Sequence, residues 1–157
     1  MIFGDIESLA AELPASGALA GIDLGTATIG VAASDTRRRV ASPVETIRRT
    51  KPGRDISALI AICEPREVVG LILGLPLNMD GSEGPRCQAT RAFARNVARS
   101  TELPIAFWDE RLSTVAAERA LLEADMSRRR RGQVIDHVAA SYILQGALDR
   151  ICHLEAT

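Results

Sequence analysis

Residues 68–73, VVGLIL, form a short unbroken apolar run with helical periodicity on either side, and this restricts the fold more than any other feature of the chain. A strand that is apolar at every position is one covered on both faces, as in α/β sheets with helices above and below. Ahead of the run, Ile56, Leu59, Ile60 and Cys63 fall at i, i+3, i+4 and i+7, an amphipathic helix that Pro65 closes. Behind it the spacing predicts a helix over residues 86–99 with Ala89, Ala92, Phe93 and Val97 on one stripe. Pro104 then introduces a second buried strand, residues 105–108 (IAFW).

The earlier part of the chain has a different rhythm. Residues 18–24 (ALAGIDL) read as a buried strand, Gly25 and Thr26 as its turn, and residues 28–33 as a second strand with Ile29, Val31 and Ala33 on one face. Residues 37–46 (RRRVASPVET) make a third, more exposed strand, where Pro43 argues for an edge or an end. Residues 1–14 are a helical turn or arm. Ser113 or Thr114 can cap a helix whose Ala117, Ala120, Leu121 and Ala124 share a face, and a basic turn over residues 127–132 leads to a last helix over 133–153. The order is βββαβαβα with one more helix. It predicts an α/β fold, a mixed sheet with helices on both faces, in one domain over residues 1–157.

Composition excludes several function classes. At 46% hydrophobic and 25% charged, the chain is neither disordered nor fibrous. No apolar run approaches the roughly 18 residues of a membrane span, and the opening segment, with Asp5, Glu7 and Glu12 and no basic start, is not a secretory signal. Cys63, Cys87 and Cys152 are odd in number and unpaired by spacing, which suits reduced core thiols in a cytoplasmic protein. Two histidines are too few to suggest structural zinc. A net charge of −1 gives no general attraction to polyanions. Arginines nevertheless cluster at 37–39, at Arg48, Arg49 and Arg54 with Lys51, and at 128–131, each cluster being solvated surface or a polyanion contact.

Two acids, Asp23 and Asp136, stand where apolar residues are expected, and a third position is offered by the adjacent pair Asp109 and Glu110. Asp23 interrupts the buried strand GIDLG, and a carboxylate there needs a partner: a metal ion, a buried arginine or a cap. Asp109 and Glu110 end the strand IAFW, at the edge of the sheet where α/β ligand sites gather. One should point to the mouth of the sheet and the other away; both could instead serve the following helix as N-terminal acids. Asp136 shares a helical stripe with Ala139, Ala140, Ile143 and Ala147, so it faces the sheet. Carboxylates from a strand centre, a strand end and an inward helix face can converge. Such a site suits Mg²⁺ or Mn²⁺, a pair of ions about 4 Å apart that would position water and stabilise the leaving oxygen of a phosphodiester.

Other features could serve the same chemistry. The glycines around Asp23 leave room for a phosphate backbone, or simply make a tight hairpin. The loop over residues 75–84 offers Asn78, Ser82 and backbone N–H groups to phosphates at the start of the next helix. Arg128, Arg129, Arg130 and Arg131 lie just ahead of Asp136, placed to draw in a polyanion. His137 reads as a surface or packing residue, and Phe107 and Trp108 as core.

Four motifs, GIDLGTATIGVAASD, LILGLPLNMDGSEG, FWDERLST and IDHVAASYILQGAL, together resemble the RuvX/YqgF family of bacterial RNase H-like nucleases over residues 19–148. The resemblance implies an RNase H-like fold, with Asp23, Glu110 and Asp136 in the catalytic, metal-binding positions and Asp109 and Arg111 as neighbours. Arg111 thereby joins Asn78, Ser82 and Arg128 to Arg131 as substrate-contact candidates. It implies a nuclease maturing the 5′ end of the small-subunit rRNA precursor, or alternatively a Holliday junction resolvase. Expected partners are precursor rRNA or branched DNA, with ribosomal or transcription machinery, and the expected state is a monomer or weak dimer. Members often carry a basic residue where this chain has Ala27, which bears on substrate affinity and not on the metal site. Residues 1–17, the arm, fall outside the resemblance. Two rivals remain: a binder of the same fold that does not cleave, separated by a cleavage assay, and a GIDLGT-type ATPase, for which the chain is too short.

Overall fold

The protein's structure, a computed structural model, describes residues 1–112 and 128–156, the side chains of residues 128–136 standing outside that description. Strands β1 (Ile2–Phe3), β2 (Ala18–Leu24), β3 (Thr28–Ser34), β4 (Ala41–Arg48), β5 (Val68–Leu75) and β6 (Ile105–Asp109) form one mixed sheet in the order β1-β6-β5-β2-β3-β4. Helices α1 (Ile6–Glu12), α2 (Pro52–Cys63), α3 (Pro85–Ser100) and α4 (Arg128–Glu155) accompany it. The helix expected from Ser113 or Thr114 through Ala124 lies outside the described residues.

Hydrophobic pattern accounts for this layering. β5 is buried at every position but Val69, as expected of a strand between two layers. On one face Ile22, Leu24, Leu71 and Leu73 pack with Leu59 of α2 and with Phe93 and Val97 of α3. On the other, Leu19, Ile72 and Trp108 meet Leu9 of α1 and Ala140, Ile143 and Leu144 of α4. β2, β3 and β4 are an antiparallel meander, whereas β2–β5, β5–β6 and β6–β1 pair in parallel.

Several details depart from the sequence reading. The N-terminal arm supplies α1, capped by the Asp5 carboxylate on the Ser8 N–H (2.7 Å), and a sixth strand, β1, beside β6. The third strand starts at Ala41, because Arg38 takes a left-handed backbone (φ 58°) and turns the chain. Arg38 is not solvated surface. It is buried and donates to the carbonyls of Gly17 (2.8 Å) and Pro14 (2.6 Å), pinning the segment that enters β2. The Val40 and Arg39 amides hydrogen-bond the Asp35 carboxylate and hold its pKa below the ordinary value. Pro43 does lie on the outermost strand, where the register shifts by one residue.

The buried stripe of α3 is Cys87, Thr90, Phe93, Ala94 and Val97, and Ala89 and Ala92 are only half-buried. Thr90 can enter the apolar layer because its hydroxyl donates to the Arg86 carbonyl (3.0 Å). The expected basic turn at 127–132 is helix from Arg128 onward. Arginine favours helix, and Gly132 inside one costs only about 1 kcal/mol. Cys63 and Cys87 are core thiols, burial raising Cys63 to about 11, but Cys152 is exposed.

Helix α4 lies unusually close to the sheet. A Cβ on Gly21 would stand 2.6 Å from the Leu144 Cβ and 2.8 Å from the Ala140 carbonyl oxygen. One on Gly74 would stand 2.5 Å from the Ile143 Cδ1. Since backbone and Cβ atoms cannot swing aside, Gly21→Ala should destabilise the fold by about 1–3 kcal/mol. A urea melt would show a lower midpoint with little change in slope, and an unchanged midpoint would contradict the close packing.

Candidate functional site

Alternation along β2 decides where Asp23 points. Ala20, Ile22 and Leu24 belong to the α2/α3 layer and Leu19 to the α4 layer, with Gly21 under Ala140 and Leu144, so Asp23 lies on the α4 side near the strand's end. Glu110 opens the short 3₁₀ turn Glu110–Leu112 after β6. Its Cδ lies 3.3 Å from where a Cβ on Gly74 would be, so the bare backbone of β5 makes room for the carboxyl group. Asp23 and Glu110 line one open cleft of about 250 Å³, walled also by Gly25, Thr26, Gly74 and Arg86. The cleft lies outside the carboxyl ends of the parallel strands, where α/β folds place ligands.

Asp136 belongs to α4, and its side chain is outside the described residues. Its neighbour His137 is described: Nδ1 lies 2.7 Å from the Thr46 hydroxyl. Thr46 is opposite Gly30 in the sheet, and Gly30 is opposite Asp23. Position 136 is thus beside the row that contains Asp23, one turn ahead of Ala140, which touches Gly21. Arg128, Arg129, Arg130 and Arg131 form the first turn of α4, their side chains again outside the description.

The two adjacent acids at the end of β6, Asp109 in the strand and Glu110 just past it, part company. Asp109 accepts from Arg111 at Nη2 (2.7 Å), Nε (3.1 Å) and the backbone N–H (2.9 Å). It faces a second cleft with Asp5, Glu7 and Arg150. The Arg111 hydrogen bond holds the Asp109 carboxyl below its ordinary value. The pair therefore persists at neutral pH, and its contribution disappears only as pH falls through that depressed value.

The loop candidates are exposed and bonded mainly to one another. Asn78 donates to the Ser82 hydroxyl (2.9 Å), and Ser82 donates to Asp80 (2.6 Å). The Arg111 Nη1 reaches the Met79 carbonyl (3.4 Å), linking this loop to the end of β6. Asn78, Ser82 and Arg111 do not line the cleft beside Asp23. Arg86 does. In the sequence it is one arginine opening a helix, and its place directly after Gly84-Pro85, beyond the carboxyl end of β5, is the signal that marks it.

The donor set fits a hard cation. The described walls bring two carboxylates and no histidine or cysteine, which suits Mg²⁺ or Mn²⁺ and argues against zinc. Among the described residues no three His, Cys, Asp or Glu side chains gather to hold a metal.

The RuvX family, described as "Holliday junction resolvase", matches residues 17–150. A Ruegeria pomeroyi protein named "Putative pre-16S rRNA nuclease" is 69% identical over 98% of this chain and 100% of its own length. A Paracoccus denitrificans protein of the same name is 66% identical over 100% of this chain and 99% of its own, so the arm is shared as well. Among solved structures, Thermus thermophilus RuvC in complex with a Holliday junction substrate superposes with a TM-score of 0.54 at 15% identity, covering 90% of this chain and 97% of that one. That likeness establishes the RNase H-like fold.

If Glu110 faces an ion and Asp109 an arginine, Mn²⁺ titration followed by electron paramagnetic resonance should separate them. Glu110→Gln should weaken binding at least about tenfold, and Asp109→Asn should leave it nearly intact. The reverse order would reassign the site to Asp109.

Proposed function

The chain belongs to the RuvX family, and from that membership we infer that it is a metal-dependent endonuclease that trims the 5′ end of pre-16S rRNA in the cytoplasm. The observation carrying the chemistry is that Asp23, on β2, and Glu110, in the turn that follows β6, line one open cleft at the carboxyl ends of the parallel strands. The substrate is argued from relatives 66–69% identical over nearly the whole chain that are named for pre-16S rRNA. RuvC, at 15% identity, supports the fold and does not decide between RNA and DNA. The family description favours a second reading, resolution of branched DNA, which the test below separates.

In this reading Asp23, Glu110 and Asp136 hold two Mg²⁺ or Mn²⁺ ions, whose positive charge offsets the mutual repulsion of the acids. Bound there, the metal supplies a more acidic attacking water and a Lewis acid for the departing oxygen. The protein's part is placement. Gly74 leaves the Glu110 carboxyl room over β5, and Gly21 lets α4 bring position 136 alongside β2. Arg128 to Arg131 draw the polyanion toward α4, and Asn78, Ser82 and Arg111 contact the strand beyond the cleft. The whole chain acts as one nuclease domain, monomeric or weakly dimeric, alongside the ribosome-assembly machinery. Among the described residues no helix is long and apolar enough to cross a membrane.

Incubation with Mg²⁺ of a pre-16S 5′ leader and a mobile four-way DNA junction, side by side, tests the reading. The leader should be cut, the junction left largely whole, and EDTA should stop the reaction. Asp23→Asn should lower the rate at least about a hundredfold, the scale of losing several kcal/mol of metal stabilisation. Symmetric cutting of the junction with intact RNA would move the assignment to a resolvase. Equal rates for wild type and Asp23→Asn would remove Asp23 from catalysis.

A further inference from the structure

The ion-paired arginines of this protein differ in kind from two others beside the cleft. Arg91, Arg111 and Arg150 each meet a carboxylate, at Glu83, Asp109 and Glu7. Arg86 and Arg49 do not. Arg86, in the first turn of α3, donates from Nη2 to the carbonyl of Leu24, and Arg49, just past β4, donates from Nη1 to the carbonyl of Gly25 (2.7 Å). Among the described residues neither has an ion-pair partner, although Arg86 shares the cleft with Asp23 and Glu110. Both side chains are half-buried.

This arrangement has a physical consequence. A guanidinium carries five N–H donors, and each of these has one engaged by a neutral carbonyl. The carbonyl fixes orientation without cancelling charge, so four donors and a full positive charge remain for another acceptor. Leu24 and Gly25 are consecutive, about 3.8 Å apart along the chain. The two cations therefore grip the segment leaving Asp23 at adjacent points, from α3 and from the end of β4. The Arg49 amide also donates to the Ala27 carbonyl (2.9 Å), tying the residue into the same turn. A bidentate, planar fork is the side chain best matched to phosphate oxygens.

We propose, resting on the nuclease reading above, that Arg86 and Arg49 are substrate-binding residues that clasp successive phosphates of one nucleic-acid strand, Arg86 at the phosphate inside the cleft and Arg49 at its neighbour outside. The ligand class is a single-stranded polynucleotide backbone, read without regard to base.

The test is binding of a short fluorescein-labelled leader RNA to Asp23→Asn protein in Mg²⁺, by anisotropy across a salt series, with Arg86→Gln and Arg49→Gln added singly and together. Each should weaken binding about tenfold, the scale of one charged hydrogen-bond contact. Each should also flatten the slope of log K against log salt by about 0.7, the value for one phosphate lost from a single strand, and the double variant by about twice that. Arg99→Gln, at the exposed far end of α3, is the control and should change neither. Arg86→Lys separates charge from packing: it should keep the wild-type slope while binding more weakly. It also carries the test if Arg86→Gln fails to fold by thermal melt. Slopes unchanged in both glutamine variants, or Arg86→Lys matching Arg86→Gln, would overturn the clasp. Wild-type protein that cuts leader RNA while the slopes stay fixed refutes only the clasp, whereas wild-type protein that cuts neither leader nor junction refutes the nuclease reading itself.

Discussion

Everything at the cleft depends on how near α4 can come to the sheet. Helices ordinarily keep about 10 Å from a packed neighbour, side chains filling the gap. Here Gly21 and Gly74 remove that filling on two adjacent strands, and Ala140, Ile143 and Leu144 settle directly over the backbone. The same two gaps determine where acids can stand. Asp23 follows Gly21 on the same face of β2, and the Glu110 carboxyl lies over Gly74. Packing and the placement of these two acids are thus set by one contact, and a change that lifts the helix would disturb both.

Burial explains why the acids lie at the strand ends. Deeper along β2 or β5 a carboxylate would face Leu19 or Ile72 in a fully buried layer, where an uncompensated charge costs several kcal/mol. At the carboxyl ends the layer opens, Asp23 and Glu110 are half-buried, and solvent or a cation can reach them. Asp109, one residue from Glu110, meets a different requirement. It is satisfied by Arg111, and through Arg111 it steadies the loop carrying Met79.

Much of this was legible in the sequence, and the failures have physical causes. The strand holding Asp23 was readable because one acid broke an otherwise apolar run, and β5 because every residue in its run was apolar. The stripe of α3 differs from its periodicity because alanine fits either face of a helix, while Thr90 hides its polarity in a bond to the Arg86 carbonyl. β1 is two residues long, too short for any period to show. Arg38 was invisible as a buried residue because its partners, the carbonyls of Pro14 and Gly17, belong to backbone and carry no sequence signature. The anchor of Arg86 has no sequence signature for the same reason, being the Leu24 carbonyl. The preference for Glu110 over Asp109 rests on family resemblance and not on spacing; in the structure Glu110 lines the cleft beside Asp23 and Asp109 does not.

The little strand β1 also does something for the molecule among its own copies. β6 is apolar and nearly fully buried, and without Ile2 and Phe3 its outer side would offer a longer open row of N–H and C=O groups to any strand that passed. The opposite margin, β4, carries Pro43, a register slip and exposed Glu45 and Arg48, each of which discourages further pairing. Among the described residues the sheet thus has six strands, with β1 beside the first two residues of β6 on one margin and a broken-up β4 on the other. Both margins are thereby poor templates for a further strand, because β1 is only two residues long and β4 is interrupted.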